Sequence, residues 1–478
     1  MPCQSAPPAV PDIADRSTLV ATLKQASELE HNLACVYLYA AFTLRKSPDD
    51  FPASNRDTAE KREACEIVAG RARLWDSQLM RVSRQEMEHL GIVTNLINAI
   101  GSQPHFSRAD FPIPANEHCL NIPLNLEPLN LHTLDIFTTV EAPVAAQPKL
   151  IETLKAEAPA RIKLEAAGAH KPRLDFTGFS ARAAQGICYN SVFELYLALR
   201  NAFGSGKIPP GELFQGNLRR QVTTASVPLV GNVSMTEVMN ASTAQQAIDQ
   251  VIAEGEGMGA APSGINLDES HFKAFLDMRT EYIRTRQEYP ALDPATPAVP
   301  NPSVEGSGYE PPPHSNVVTV EPARSLMLLF NDAYFVMIVM LRDFFESYEG
   351  YFGAFPPFPK VRRGAALFDA AFFPFMTMVI RPLGEILVRV PSGIGGLTAG
   401  PSYQLREKKL PDKPGLDWYE REFANIVSQA GKIAAGLGSR DLSSGVLGAE
   451  SLGSKIEYLC QNLSRMAANF KRIWETGE

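Results

Sequence analysis

An acidic side chain on the apolar face of a long predicted helix constrains this chain more than any other feature. Residues 18–46 carry apolar side chains at helical spacing, which form one stripe: Leu23, Ala26, Leu33, Tyr37, Ala41 and Leu44. Glu30 falls on the same stripe. A helix that buries this stripe also buries a carboxylate, and a buried charge needs a compensating partner.

A second predicted helix, from about Arg71 to Ile100, repeats the apolar pattern and ends at Gly101, a residue typical of helix C-termini. Its apolar face contains Glu86 and His89, which lie side by side because they are three residues apart. Residues 47–70, between the two helices, are rich in Asp, Arg and Lys and are expected to form a polar connection.

Two inward glutamates and a histidine predict a metal centre, because an unpaired buried carboxylate is strongly destabilising. The Glu-x-x-His element is typical of di-iron and di-manganese helical bundles, in which other helices each add a glutamate. Oxygen and nitrogen donors favour iron or manganese over metals that prefer thiolates. Glu28 and His31 form another such element but lie off the apolar stripe, so we interpret them as a solvated pair at the helix edge.

The ligands for a second metal ion are less regular in sequence. Glu194 lies among apolar neighbours in a predicted helix, where it is either a ligand or a salt-bridged surface residue. Glu256 shares a helical face with Ile252 and can turn inward, whereas Glu254 is equally consistent with a solvated helix end. His271 opens the next predicted helix and would complete the site from a separate segment.

Composition excludes several other functions. The 478 residues include 45 Lys and Arg against 53 Asp and Glu, and no basic run stands out, so nucleic-acid binding is not expected. The six cysteines form no CxxC pair, and no secretory signal is visible, which favours a cytoplasmic location. The apolar stretch Leu326–Leu341 contains Asn331 and Asp332 and is shorter than the roughly 20 residues of a membrane span, so it predicts a buried helix.

The chain is expected to be all-α, since no series of alternating strands occurs. We predict a flexible N-terminus (1–17), a metal-binding bundle (18–289), a proline-rich linker or strap (290–315) and a C-terminal helical region packed on the bundle (316–478). A long loop excursion is expected at 102–131. Further helices are predicted near 132–141, 151–167, 182–203, 242–256, 269–288, 321–346, 364–388, 416–436 and 450–475. The aromatic residues from Phe344 to Phe375 are interpreted as core, with a hydrophobic cover over a substrate as the alternative.

An ordered set of motifs makes a family resemblance specific: LEHNLACVYLYA (29–40), QEMEHLGIVTNLINAIG (85–101), NIPLNLEPLNLHTLDIFTTVEAP (121–143), NSVFELYLALR (190–200), QAIDQVIAEGEG (246–257), SHFKAF (270–275) and AGPSYQL (399–405). Together they resemble the ferritin-like family typified by the ferritin-like domain of iminophenyl-pyruvate dimer synthase from violacein-type bisindole pathways. The resemblance covers most of residues 20–405.

The resemblance implies a ferritin-like bundle with a non-haem metal centre. It implies two ions, expected to be iron with manganese as the alternative, and these ligands: Glu30, Glu86, His89, Glu194, Glu256 and His271. Glu86 and Glu256 are expected to bridge the ions. Glu141, which directly precedes Ala142 and Pro143, is an alternative ligand or a carboxylate behind the ligands. Tyr37 is a candidate to hydrogen-bond a ligand, although simple packing is the plainer interpretation.

The leading hypothesis is an O₂-dependent dimetal oxidoreductase that acts on a small organic molecule, by analogy an amino-acid-derived or indolic metabolite. The first alternative is a metal-binding or iron-storage protein without an organic substrate. The second is a bundle that mainly supports protein contacts. The long 290–478 extension favours the enzyme, because a storage bundle alone would not need it.

Overall fold

Helices are the predominant regular structure in the computed structural model. It describes residues 10–115, 120, 122–143, 146, 149–150, 152–154, 186–218, 220–224, 235–255, 270–306, 308–347, 364, 367–368, 372–406, 410–412, 414–437 and 452–476. In chain order the main helices are α1 (Arg16–Thr43), α2 (Ala59–Ala99), α3 (Leu131–Val140), α4 (Val192–Gly204), α5 (Ala241–Gly255), α6 (His271–Glu288), α7 (Ala323–Ser347), α8 (Arg381–Leu387), α9 (Leu416–Leu437) and α10 (Leu452–Thr476). The all-α prediction is confirmed.

Short elements complete the described fold. They are the helical turns Pro48–Asp50, Ala53–Asn55, Pro210–Leu213 and Phe373–Phe375, the π-helical segment Met376–Ile380, and the two-residue strands β1 (Pro302–Ser303) and β2 (Asn316–Val317). The two strands pair in parallel. Most of the predicted helix at 151–167 lies outside the described residues.

Helix α1 follows the predicted pattern closely. Asp15 caps its start, and its carboxylate accepts a hydrogen bond from the backbone N–H of Thr18 at 2.9 Å. Leu23, Leu33 and Tyr37 are buried, as the stripe predicts. Glu30 is buried with them, at 1% exposure. The apolar spacing therefore placed the first carboxylate in the interior correctly.

Helix α2 begins at Ala59, well before the predicted start at Arg71. The prediction that residues 47–70 form the connection was therefore wrong from residue 59 onward. Thr58 caps this earlier start, and its side chain accepts a hydrogen bond from the backbone N–H of Lys61. The first turns of α2 are exposed, and a solvated helix shows no apolar stripe by which it could be recognised.

Six helices surround the carboxylates. Helix α1 packs against α2 and α4, α5 packs against α4 and α2, and α3 packs against α6, which also contacts α2 and α5. A buried ion pair between Arg279 Nε of α6 and Asp135 Oδ1 of α3, at 2.6 Å, fixes these two helices together. These six helices therefore pack around one interior, which contains the buried carboxylates.

The C-terminal helices cover another side of α1 and α2. Helix α9 packs against α10 and α7, and α8 packs against α7 and α1. Where α8 crosses α1, Gly384 leaves room for the Phe42 ring, since a Cβ atom there would lie 2.4 Å from it. The region 316–478 thus contacts the first helix directly.

The proline-rich segment crosses the end of α1. The backbone N–H of Thr296 donates to Thr43 O at 2.8 Å, and the N–H of Arg45 donates to Pro294 O at 2.8 Å. Farther along, Val299 N–H donates to Thr398 O at 2.8 Å. These bonds connect the proline-rich segment to the end of α1 and to the loop that contains Thr398.

Among the described residues, one segment, Ala323–Glu346 of α7, is long and apolar enough to cross a membrane, and 72% of its most apolar window is buried inside the protein. Leu326, Phe330 and Val336 are each fully buried. The prediction of a buried helix at Leu326–Leu341 is confirmed.

Candidate metal centre

Glu30 offers one free oxygen to the interior. Its Oε1 accepts a hydrogen bond from the Tyr196 hydroxyl of α4. Its Oε2 lies 3.4 Å from His89 Nδ1 and makes no hydrogen bond within the described part of the chain. Burial and the adjacent negative charge of Glu86 raise the pKa of Glu30 to about 8. A cation at this place would reverse that shift by favouring the carboxylate.

Glu86 lies between the two histidines. Its Oε1 is 3.0 Å from His271 Nδ1, and its Oε2 is 3.4 Å from His89 Nδ1. The two imidazole rings are 5.5 Å apart. Burial opposes ionisation of Glu86, but the charge of His271, together with the hydrogen bonds to His271, His89 and Glu30, holds the pKa of this carboxyl below its usual range. A carboxylate that directs one oxygen at each of two histidines has the geometry of a bridging ligand.

Glu141 and His271 supply the opposite side of the centre. Glu141 directly follows the last residue of α3, and its Oε1 accepts a hydrogen bond from the Tyr37 hydroxyl. Its Oε2 lies 3.7 Å from His271 Nδ1. His271 is the first residue of α6, fully buried, and neither of its ring nitrogens makes a hydrogen bond to a described residue. Although burial opposes it, the charges of Glu86 and Glu141 raise the pKa of His271 to about 9.

Two buried triads result, and they share one member. Glu30, Glu86 and His89 place one donor atom each within 4.8 Å of one another, and so do Glu86, Glu141 and His271. Glu30 Oε2, Glu86 Oε1 and both nitrogens of His271 are buried and have no hydrogen bond among the described residues. Such orphaned atoms are costly unless a cation takes them. The donor set of carboxylate oxygens and imidazole nitrogens fits iron or manganese.

Glu254 and Tyr196 belong to this centre but were not selected from the sequence. Glu254 Oε2 is 3.1 Å from His89 Nε2, and Gln250 Nε2 donates to Glu254 Oε1 at 3.1 Å. Burial opposes ionisation of Glu254, but the hydrogen bond to His89 and then the charge of that ring lower its pKa. Tyr196 lies on the inward apolar face of α4, and this position could have identified it from the sequence as a residue of the centre. For Glu254, helical spacing alone did not show whether the side chain points into the protein or into solvent at the helix end.

The structure does not bring Glu194 into either triad. Glu194 lies in the first turn of α4, where its Oε2 accepts hydrogen bonds from the backbone N–H and the side-chain amide of Asn190 at 2.8 and 2.9 Å. Ser191 caps the same turn. Glu194 therefore satisfies donors at a helix start, where a carboxylate is favoured. Glu256, the other predicted carboxylate of this half, lies outside the described residues.

Glu28 and His31 do not form the expected solvated pair. Glu28 is paired with His105 at 2.7 Å, whereas His31 is buried and hydrogen-bonded through Nε2 to Tyr334 of α7. The prediction was wrong for His31 because α7 covers this face of α1, and the periodicity of α1 contains no information about a helix so far along the chain.

The helical bundle and its paired triads define a ferritin-like protein. Residues 23–280 match the model of the Ferritin-like family, and the chain belongs to that family, which confirms the resemblance drawn from the motifs. A ferritin-like protein from Caulobacter vibrioides aligns with 82% of this chain and 100% of its own at 18% identity and a TM-score of 0.43.

Two curated enzymes are similar to the chain. It is 30% identical over 414 residues to dichlorochromopyrrolate synthase of Lentzea aerocolonigenes, a match that covers 83% of this chain and 36% of that enzyme. It is 28% identical over 411 residues to 2-imino-3-(indol-3-yl)propanoate dimerase of Chromobacterium violaceum, covering 83% of this chain and 35% of the dimerase. The chain therefore spans about a third of the length of these relatives.

Proposed function

We propose that this chain is a dimetal oxidoreductase that binds two iron ions, with manganese as the alternative, and uses O₂ to oxidise a small indolic or related amino-acid-derived metabolite. The observation that supports the proposal best is the position of Glu86, whose two oxygens face two different histidines. The alternative function is iron storage without an organic substrate, and O₂ consumption distinguishes it from the proposed oxidation.

The residues of the chain have distinct tasks in this proposal. Glu30, Glu86 and His89 would hold one ion, and Glu86, Glu141 and His271 would hold the other, so that Glu86 would serve both. Tyr196 and Tyr37 each donate a hydrogen bond to one oxygen of a terminal carboxylate, which leaves the second oxygen directed inward. Among the described residues, three would hold each ion, and further coordination positions would be available for O₂, as catalytic metal sites require.

Bound iron would supply the O₂ and one-electron chemistry that side chains lack. The protein contributes a water-poor interior, since Glu30, Glu86 and His271 are at most 1% exposed. The indolic substrate class is supported by the name of the Chromobacterium dimerase, 2-imino-3-(indol-3-yl)propanoate dimerase. Free cysteines such as Cys35 and Cys65 support a cytoplasmic location as part of the proposal.

Metal counting tests the first part of the proposal. After anaerobic loading with ferrous iron and removal of the excess, we expect two ions per chain, and anomalous maps at the iron edge should show both peaks beside Glu86. The variant Glu86→Gln should lose both ions. Glu88→Gln is the matched control, because Glu88 is a buried acid of the same helix that pairs with Arg84. Full iron content in Glu86→Gln would refute the bridging role.

Oxygen consumption tests the second part. Iron-loaded protein should consume O₂ in proportion to an added indolic 2-imino acid, and catalytically rather than once. Uptake that stops after the bound iron is oxidised, with no dependence on the organic compound, would assign the chain to iron storage instead.

A further inference from the structure

A second interior feature lies beside the metal centre. A cavity of about 120 Å³ lies between α1, α2 and α7. Ala34 and Cys35 of α1 and Gly91 of α2 are among its lining residues. Cys35 and Gly91 lie five residues after Glu30 and Glu86, so they are on other faces of their helices than these carboxylates. The predicted aromatic core thus also encloses a space: Phe344, Phe345, Phe368 and Phe372 line it.

The size and walls of this cavity suit an aromatic ring. An apolar cavity of about 150 Å³ is known to remain dry and to bind benzene. Four methionines, Met87, Met235, Met337 and Met376, add to the aromatic walls, and methionine side chains adapt to ligands of varied shape. The cavity is somewhat smaller than that benzene site, so an aromatic ring enters it when these flexible side chains move.

Two tyrosines, Tyr334 and Tyr403, are among the residues that line this largely apolar cavity. The Tyr334 hydroxyl is already hydrogen-bonded to His31 and lies 3.3 Å from Cys35 Sγ. The Tyr403 hydroxyl, by contrast, has no hydrogen-bond partner in the described parts of the chain, although the residue is only 1% exposed. A buried hydroxyl without a partner is destabilising, so a ligand that accepts its hydrogen bond would be favoured.

Tyr403 is also held in an unusual backbone conformation. Its φ is 52°, in the left-handed region that residues other than glycine rarely adopt. Its ring packs edge-on against Tyr334 at 5.2 Å and against Phe330 at 5.1 Å, which fixes its direction. Strained residues of this kind concentrate at ligand sites. The residue lies within the AGPSYQL motif, which the metal centre does not explain.

A buried positive charge, Arg108, contacts the backbone of Tyr403. Arg108 is 2% exposed and donates to the backbone oxygens of Ala109 and Tyr403. Its guanidinium also lies over the Phe111 ring at 4.8 Å. Among the described residues no carboxylate forms an ion pair with it, and Asp110 acts on it only through space. A buried cation without a paired anion favours the binding of a negatively charged group nearby.

We propose that this cavity binds a small aromatic carboxylate, with the ring between α1, α2 and α7 and the carboxylate hydrogen-bonded to the Tyr403 hydroxyl in the field of Arg108. Only the identification of this ligand as the substrate rests on the proposed function; the binding site itself does not. It assigns substrate recognition to residues that are separate from the metal ligands.

Binding measurements on metal-free protein test this site. Indole-3-propanoate and 3-phenylpropanoate serve as probes, and indole-3-propanol and 3-phenylpropanol as neutral counterparts. We expect each acid to bind at least tenfold more tightly than its alcohol. Tyr403→Phe should weaken binding of the acids about tenfold, which is the effect of one hydrogen bond to a charged group. Tyr39→Phe is the matched control, because this buried phenol donates to Val299 O outside the cavity.

A second variant fills the space. A Cβ atom on Gly91 would lie 2.6 Å from the flexible end of Met235 and 3.6 Å from Phe345, so Gly91→Leu projects into the cavity. It should abolish binding of acids and alcohols while α-helical circular dichroism is retained. Equal affinity for acid and alcohol, or equal effects of Tyr403→Phe and Tyr39→Phe, would overturn the proposal. If the protein binds the acids but retains no iron after anaerobic loading, the proposed metal function fails and this binding site stands.

Discussion

Glu86 Oε1 lies 3.0 Å from His271 Nδ1, which joins the middle of α2 to the first residue of α6. This contact links the two triads, because the other oxygen of Glu86 faces His89. In the metal-free protein the histidines carry protons that compensate the carboxylates, as the raised pKa values of His89 and His271 indicate. A metal ion must displace those protons in order to bind.

Metal affinity should therefore fall as the pH is lowered. Below the pKa of His271, about 9, each proton displaced per ion reduces the apparent affinity about tenfold per pH unit. Titration calorimetry with Mn²⁺ in buffers of different ionisation enthalpy counts the protons directly. We expect at least one proton released per ion at pH 7. An affinity that is constant between pH 6 and 8 would contradict this assignment.

The phenol behind Glu30 should tune metal binding. Tyr196→Phe removes the hydrogen bond to Glu30 Oε1 and should weaken Mn²⁺ binding about tenfold, within the usual range for residues that orient ligands. Tyr419→Phe is the control, since this buried phenol hydrogen-bonds Asp343 at 3.1 Å in the C-terminal region. Equal Mn²⁺ affinity in the two variants would show that Tyr196 only packs.

Glu127 should make the protein less stable at alkaline pH. Burial raises its pKa to about 7, against 4.5 for an ordinary glutamate. Because the folded-state pKa is raised, its favourable contribution is present below pH 4.5 and is lost as the pH rises through 7. Glu127→Gln should raise the free energy of unfolding by about 2–3 kcal/mol at pH 8 and have little effect at pH 4.5.

Denaturant unfolding at the two pH values measures this difference. The exposed Glu457→Gln on α10 is the control and should stay within about 0.5 kcal/mol at both. The prediction fails if Glu127→Gln gives the same change at pH 4.5 and pH 8.

The crossing of α8 over α1 should not tolerate a methyl group. In Gly384→Ala the new Cβ would lie 2.4 Å from the buried Phe42 ring, and such overpacking costs about 1–3 kcal/mol. Gly431→Ala on α9 has no neighbouring atom within 4 Å and should stabilise the protein by about 0.5–1 kcal/mol. In thermal unfolding experiments, the melting temperature of Gly384→Ala should fall and that of Gly431→Ala should rise.

Local pattern was sufficient for the residues in the middle of helices. Glu30, Glu86 and His89 lie on apolar stripes of α1 and α2, so their burial followed from spacing alone. The all-α class and most helix positions followed from the same periodicity. The start of α2 did not, because its first turns are solvated and carry no stripe.

Contacts between distant segments could not be read in the same way. Glu194 was expected among the ligands, but its role at the start of α4 depends on Asn190 and on where that helix begins. The inward position of Glu254 depends on how α5 packs against α2, which a single helix does not specify. His31 was misplaced for a similar reason, since its cover comes from α7.

The two halves of the centre differ in mechanical support. Glu30, Glu86 and His89 lie in the middle of the long helices α1 and α2. Their backbone positions are therefore fixed by helical hydrogen bonds on both sides. Glu141 and His271 are located where α3 stops and α6 starts, and the terminal turn of a helix unwinds at little energetic expense. If both groups hold metal ions, as we propose, we expect the second site to adjust its geometry more readily than the first.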